Sequence, residues 1–218
     1  MQKLPDIDFS KKKKEPEIDS INSLFSLPFY KDAEYFSNFD NYVYFIKEVE
    51  KLVRKSPYYA RYISYLREEI GLTFCQILSN IDSADYEDKK EKVTIEMHHG
   101  PILTLFDYVA IVIDHLLEEG QMFTTFHVAK IILEEHFNNN IQVVMLSKTA
   151  HETYHAENTF INYKQGFGNL NAFLSKYHKG LQNEQIMKIN RFIEMSKKYD
   201  SFDRDLLTLK QNVLKWSN

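Results

Sequence analysis

Four histidines carry the chemistry that can be read from this chain. His151 and His155 stand four residues apart in the run SKTAHETYH. On a helix that spacing puts both imidazoles on one face, close enough to share one metal ion. His98 and His99 are adjacent at the end of the strand-like run VTIEMH, and a neighbouring strand is the natural source of a third ligand. Three imidazoles without a cysteine partner leave coordination positions open to water or substrate, the pattern of a catalytic rather than a closed structural site. Successive strand residues point to opposite faces. If His98 turns toward the ion, His99 turns away, unless the strand ends there. Gly100-Pro101 follows at once and would let His99 swing to the open side, where a neutral imidazole takes a proton from water.

These side chains need elements to position them. From Lys31 apolar residues recur at helical steps (Phe36, Phe39, Val43, Ile46, Val49, Val53). Ser56-Pro57 breaks that run and opens a second helix that stops at Gly71, with Ser as cap and Pro at the first helical position. Residues 72–81 (LTFCQILSNI), 93–98 (VTIEMH) and 141–147 (IQVVMLS) read as three strands, and residues 82–92 as a charged loop. Thr104 with Asp107, and Thr149 with Glu152, read as capping boxes opening helices. Between them Thr124 or Thr125 starts another helix, which ends at Asn138-Asn139-Asn140. The stripes Leu170/Phe173/Leu174/Tyr177, Ile186/Ile189/Ile193 and Leu206/Leu209/Val213 predict two or three C-terminal helices. His115 falls beside the core stripe of its helix, His127 and His178 read as exposed, and His136 as packed. The fold class expected is α+β: a small antiparallel ββα core, a helical insertion over 100–140, and helical additions at both ends. Residues 1–20 read as a loose tail carrying Lys11, Lys12, Lys13 and Lys14. Residues 21–218 read as one domain, in parts 21–71, 72–165 and 166–218.

The runs IEMHHGPI and NIQVVMLSKTAHETYH resemble the HNH (ββα-metal) nucleases, most closely the colicin-type DNases and the HNH-like proteins of large bacteriophages. The resemblance spans about residues 75–163. It implies His98, His151 and His155 as metal ligands, His99 as general base, and hydrolysis of phosphodiester bonds in nucleic acid, DNA before RNA. The middle Asn of the motif falls on Gln142 when counted back from His151, or on Asn140 when the Asn-Ile pair is taken literally. An amide at either place would fix the tautomer of the base. The cofactor expected is one divalent ion: three imidazoles suit Zn, Ni, Co or Mn, and the resemblance adds Mg. The two halves of the motif are separated here by residues 100–140. The alternative is therefore a non-catalytic nucleic-acid-binding or protein-interaction module on a degenerate HNH scaffold.

Composition narrows the partners. The 218 residues carry a formal charge of −4, which excludes a globally basic nucleic-acid binder but not a local basic face. Residues 51–67 (KLVRKSPYYARYISYLR) hold five basic residues, four tyrosines and no carboxylate. Arg54, Lys55, Tyr58 and Arg61 are the candidate phosphate and base contacts; tyrosines packed into a core with basic residues decorating the outside is the competing reading. The single Cys75 excludes a disulfide framework and points to a reducing compartment, cytoplasmic, or host cytoplasm for a phage-encoded chain. No apolar run is long enough to span a bilayer, so no membrane partner is expected.

Overall fold

A computed structural model describes residues 29–78, 82, 94–156 and 160–198. The expected tail with its four lysines, Val93, the end of the 72–81 run, most of the charged loop and the Leu206/Leu209/Val213 stripe lie outside the described residues. The described residues form eight α-helices and a two-stranded antiparallel sheet, an α+β fold that is mostly helical.

Helix α1 (Ala33–Phe36) and helix α2 (Phe39–Lys55) are separate. The predicted single run breaks at Ser37-Asn38, because the Asn38 side chain accepts from the N–H groups of Asp40 and Asn41 and starts a new helix there. Phe39, at the first position of α2, is consequently exposed, and Phe45 takes the core position. Ser56 caps helix α3 (Pro57–Glu68), which ends just before Gly71 at φ +80°. Strand β1 (Ile95–His99) follows.

The insertion supplies helix α4 (Leu105–Glu118), opened by the Thr104/Asp107 capping box, and helix α5 (Thr125–Phe137), capped by Thr124. Strand β2 (Val143–Ser147) leads directly into helix α6 (Lys148–His155). The cap of α6 is Ser147, whose side chain accepts from the Ala150 N–H, in place of the predicted Thr149 box. Helix α7 (Leu170–Lys176) and helix α8 (Asn183–Lys198) complete the described chain.

The sheet register pairs Ile95 with Ser147, Met97 with Met145, His98 with Val144 and His99 with Val143. Helix α6 packs on one face of this ladder. Helices α3 and α5 meet the other through Tyr59 and His136, which contact His99. With both faces covered, Val143–Leu146 are fully buried, which explains their unbroken apolar run.

Among the described residues of the 72–81 run, 72–78, the predicted strand does not form. Its Leu72 and Cys75 are buried, and among the described residues it makes an isolated bridge between Phe74 and Asp82. Gln76 instead seals the outer edge of β2: its N–H donates to Met145 O at 2.8 Å, and its Oε1 accepts from Met145 N at 2.6 Å. Phe167 closes the same edge by exchanging two backbone bonds with Val143. One residue from each segment thus satisfies β2 where a full strand was expected.

Helix α2 packs on α4 and α5 to build the main core, around Ile46, Val49, Val53, Val109, Val112 and Ile132. Gly180 lies so close to α4 that a Cβ there would sit 2.0 Å from Ile111 O, so only glycine fits that contact. Glu135, 1% exposed, fastens α5 to α7: Tyr177 Oη donates to it at 2.9 Å, Asn140 Nδ2 at 2.6 Å, and Lys176 pairs with it. Burial pushes the Glu135 carboxyl up, but the bonds from Lys176, Asn140 and Tyr177 outweigh it and hold the pKa below the ordinary value.

The insertion is tied to the sheet by the Tyr108 hydroxyl, which accepts the buried Gln142 N–H at 2.9 Å. Tyr108→Phe removes the acceptor and leaves that N–H unpaired. Urea unfolding should show a loss of about 1–3 kcal/mol. A variant as stable as the parent would mean that the bond contributes nothing net.

Candidate metal centre

Three imidazoles converge where β1 meets α6. His98 Nδ1 and His151 Nε2 are 3.0 Å apart, and His155 Nε2 and His151 Nε2 are also 3.0 Å apart. The ligand atoms of the three all lie within 4.8 Å of one another, the one such His/Cys/Asp/Glu group among the described residues. His98 is buried, His151 half-buried and His155 exposed, so the cluster is anchored in the protein and open on one side.

The tautomers follow from the surroundings. Glu96 Oε2 lies 2.6 Å from His151 Nδ1, and a carboxylate only accepts, so Nδ1 carries the proton and Nε2 presents its lone pair to the cluster. Glu96 sits two residues before His98 and shares its strand face. Sequence reasoning passed over Glu96, yet the period of two in E-x-H was the signal that could have found it. Burial first, then the neighbouring His151, His155 and Arg54 charges, push the His98 pKa down to about 4, so the ring is neutral, as a ligand must be. Gly100 gives this ring room: a Cβ there would sit 3.1 Å from His98 Cδ2. The Tyr154 ring packs edge-on against His98, and its hydroxyl donates to Pro101 O at 2.9 Å.

The donor set fits a divalent ion. Nitrogen ligands at about 2.0–2.1 Å from one ion stand about 3.0–3.4 Å from each other, close to the two 3.0 Å separations found.

His99 does not join this cluster. Strand β1 runs through His99, so the alternation holds and the ring lies on the opposite face. There it is 4% exposed, stacked at 14° on Tyr59, with its Nε2 2.9 Å from His136 Nε2. His136 Nδ1 donates to Ile132 O at 2.7 Å, so its Nε2 is the bare acceptor and His99 Nε2 carries the proton. Burial, with His136, Arg54 and His98 adding to it, holds the His99 pKa well below the usual imidazole value; burial also takes His136 down to about 4. The expected swing to the open side is corrected accordingly: His99 is a neutral core residue paired with His136.

The two candidate amides are also elsewhere. Asn140 donates to Glu135, and Gln142 Nε2 donates to Tyr163 O at 2.9 Å. Neither bonds the His99 ring, whose partner is His136. Gln142 instead ties β2 to the segment at Tyr163 and packs against Gly166.

Arg54, Lys55, Tyr58 and Arg61 are all exposed, at the junction of α2 and α3. Arg61 lies over the Tyr58 ring at 5.7 Å, and Arg54 makes a long contact to Glu50 at 3.8 Å. Tyr59 and Tyr62 are buried, so the basic-aromatic run divides between core and surface. The Arg54 charge is near enough to depress His98, His99 and His136 together.

A family model matches residues 3–218, and the chain belongs to the bacteriophage G278-like virion protein family. That places its origin in bacteriophage. No curated protein and no solved structure matches the chain. Among the described residues no helix is long and apolar enough to cross a membrane.

Two outcomes follow from this geometry. Glu96→Gln removes the carboxylate that orients His151, and calorimetric titration with Ni or Zn should show a 10–100-fold loss of affinity, about the usual effect of losing such a partner; unchanged affinity would deprive Glu96 of that role. The second concerns acid. Unfolded histidines take up protons near pH 6.5, whereas folded His98 and His136 resist until about pH 4. Their contribution is complete above about pH 6.5 and declines as pH falls from there toward 4. The melting temperature of the metal-free chain should drop over that window, and the drop should shrink when His136 is replaced by Gln.

Proposed function

We propose that this chain is a divalent-metal phosphodiesterase of the HNH type, acting on nucleic acid, DNA before RNA. The observation that supports it most is the convergence of His98, His151 and His155, mounted on an antiparallel strand pair and the helix that follows it, with Glu96 behind His151. An ion held there by His98, His151 and His155 would supply Lewis-acid chemistry toward a phosphate oxygen. The chain's own part is to hold three imidazole nitrogens in place, with one side of the cluster open to solvent. His98 is fixed by burial and by the Tyr154 ring, His151 by Glu96, and His155 by its place one turn along α6. The nitrogen donors suit Mn, Ni, Co or Zn more than Mg.

His99 has no part in proton transfer in this proposal, because its exposed-side role is taken away by the bond to His136. Arg54, Lys55, Tyr58 and Arg61 offer exposed cations and an aromatic face for a polyanion. A second reading is favoured by the same His99 orientation: a metal-stabilised nucleic-acid-binding or interaction module without turnover.

The test is supercoiled plasmid incubated with protein and Mg, Mn, Ni or Zn. Nicking that EDTA abolishes, and that His98→Ala loses together with the metal, is expected. His99→Ala, provided that it folds, should keep cutting within a few-fold of the parent. A loss of about 10²–10⁴-fold in folded, metal-loaded His99→Ala would restore it as the general base. Stoichiometric metal with no cutting under any of these ions would select the second reading.

A further inference from the structure

Helix α5 has apolar side chains on two faces. Val128 and Ile132 turn to the core. Phe126, Leu133 and Phe137 lie on another face and line a groove of about 900 Å³, whose far wall is Leu52 of α2 and Tyr58 of α3. That volume is within the range of roughly 300–1,000 Å³ usual for small-ligand sites. Phe126 is 69% exposed, Tyr58 56% and Phe137 44%, so three aromatic rings around one groove stand open to solvent. Two of them are held by neighbours: Phe137 packs edge-on against the buried Tyr62 at 5.7 Å, and Arg61 lies over the Tyr58 ring at 5.7 Å.

The charges select the occupant. The lysines and glutamates of the lining cancel one another: Lys130 lies 3.6 Å from Glu134, and Lys176 pairs with Glu135. The groove itself therefore suits an uncharged, flat, apolar group. Beside it, the α2–α3 junction contributes Tyr58 to the wall and carries exposed Lys55 and Arg61, within the run 51–67 that has no carboxylate. An anion suits that place. A neutral aromatic ring joined to an anion is the chemistry of a nucleotide, whose base offers a π-face and whose phosphate carries the charge. Arg54, at the same junction, is near enough to His98 for its charge to act there, so the junction borders both the groove and the histidine cluster.

We infer that the groove binds an unpaired base and that the substrate class of this chain is single-stranded nucleic acid. The inference rests on the nucleic-acid reading proposed above and narrows it. In a duplex each base is paired and stacked, and bringing one into the groove means breaking both contacts. In a single strand the bases are free to stack on Tyr58, Phe126 and Phe137, and the side-chain amide of Asn138, also on the lining, can bond a base edge. Tyr58 thus serves the strand that Lys55 and Arg61 attract, and the groove and the basic junction act as one surface.

The test is fluorescence anisotropy of the full chain with a labelled mixed-sequence DNA oligonucleotide, single-stranded or annealed to its complement, in EDTA so that nothing is cut. The single strand should bind at least about tenfold tighter than the duplex, which must first unstack a base. Phe126→Ala with Phe137→Ala should weaken single-strand binding by about 5–150-fold, the usual effect of losing a stacking ring, and leave duplex binding and the far-ultraviolet circular dichroism unchanged. Tyr58→Ala should weaken single-strand binding likewise, whereas Tyr58→Phe, which keeps the ring, should bind as the parent does. Equal affinity for the two forms, an equal loss for both, or single-strand binding that the groove substitutions leave alone would overturn the inference and leave the proposed function standing. Binding of neither form would overturn that function and this inference with it. Self-association of the chain that Phe126→Ala with Phe137→Ala abolishes, seen by sedimentation, would assign the groove to a second copy and overturn the inference as well.

Discussion

The five-residue ladder between β1 and β2 is the constraint on which the rest of the molecule depends. Its register sets His98 opposite Val144 and His99 opposite Val143, and strand alternation then sends the two imidazoles to opposite faces. One face receives α6 with His151 and His155; the other receives α3 and α5 with Tyr59 and His136. A slip of one residue would exchange the two sets and destroy both. That is why the ladder is so thoroughly secured, by Gln76 and Phe167 on the edge of β2 and by Arg67, which donates to Ile95 O at 2.6 Å.

The two histidine groups illustrate two ways of holding imidazole rings together. In the first, ring nitrogens are aimed at a common point, and a carboxylate fixes the proton of the middle ring on the far side. In the second, a chain of bonds runs from His99 through His136 to the Ile132 carbonyl inside the core. The first arrangement aims three rings at one point that is open on one side; the second passes from ring to ring to a backbone carbonyl inside the core. This difference separates the candidate site from core packing, although both groups consist of the same residue type.

Local rules carried most of what was legible in the sequence. The i, i+4 spacing of His151 and His155, the Thr104/Asp107 box, the Ser56-Pro57 helix start and the apolar run of β2 each depend on neighbours within a turn or a strand, and each appears in the fold. The misses are long-range. The pairing of His99 with His136 crosses 37 positions, that of Gln76 with Met145 crosses 69, and nothing local announces either. Asn140 was read as an active-site amide because of its place in a motif, whereas a buried carboxylate five residues earlier claims it. Glu96 was within reach, since it shares a strand face with His98. The position of the basic residues was legible, but the division of the tyrosines between core and surface depended on how α3 rotates against α5.

Membership in the G278-like virion protein family gives the chain a phage origin, and the histidine cluster gives it a chemical question. The most direct test of the central claim is a crystal of the full chain grown with Ni and measured at the nickel absorption edge. The account predicts one anomalous peak per chain, about 2.0–2.2 Å from His98 Nδ1, His151 Nε2 and His155 Nε2, with His99 still bonded to His136. A peak centred on any other residues, or no peak at this cluster, would contradict it.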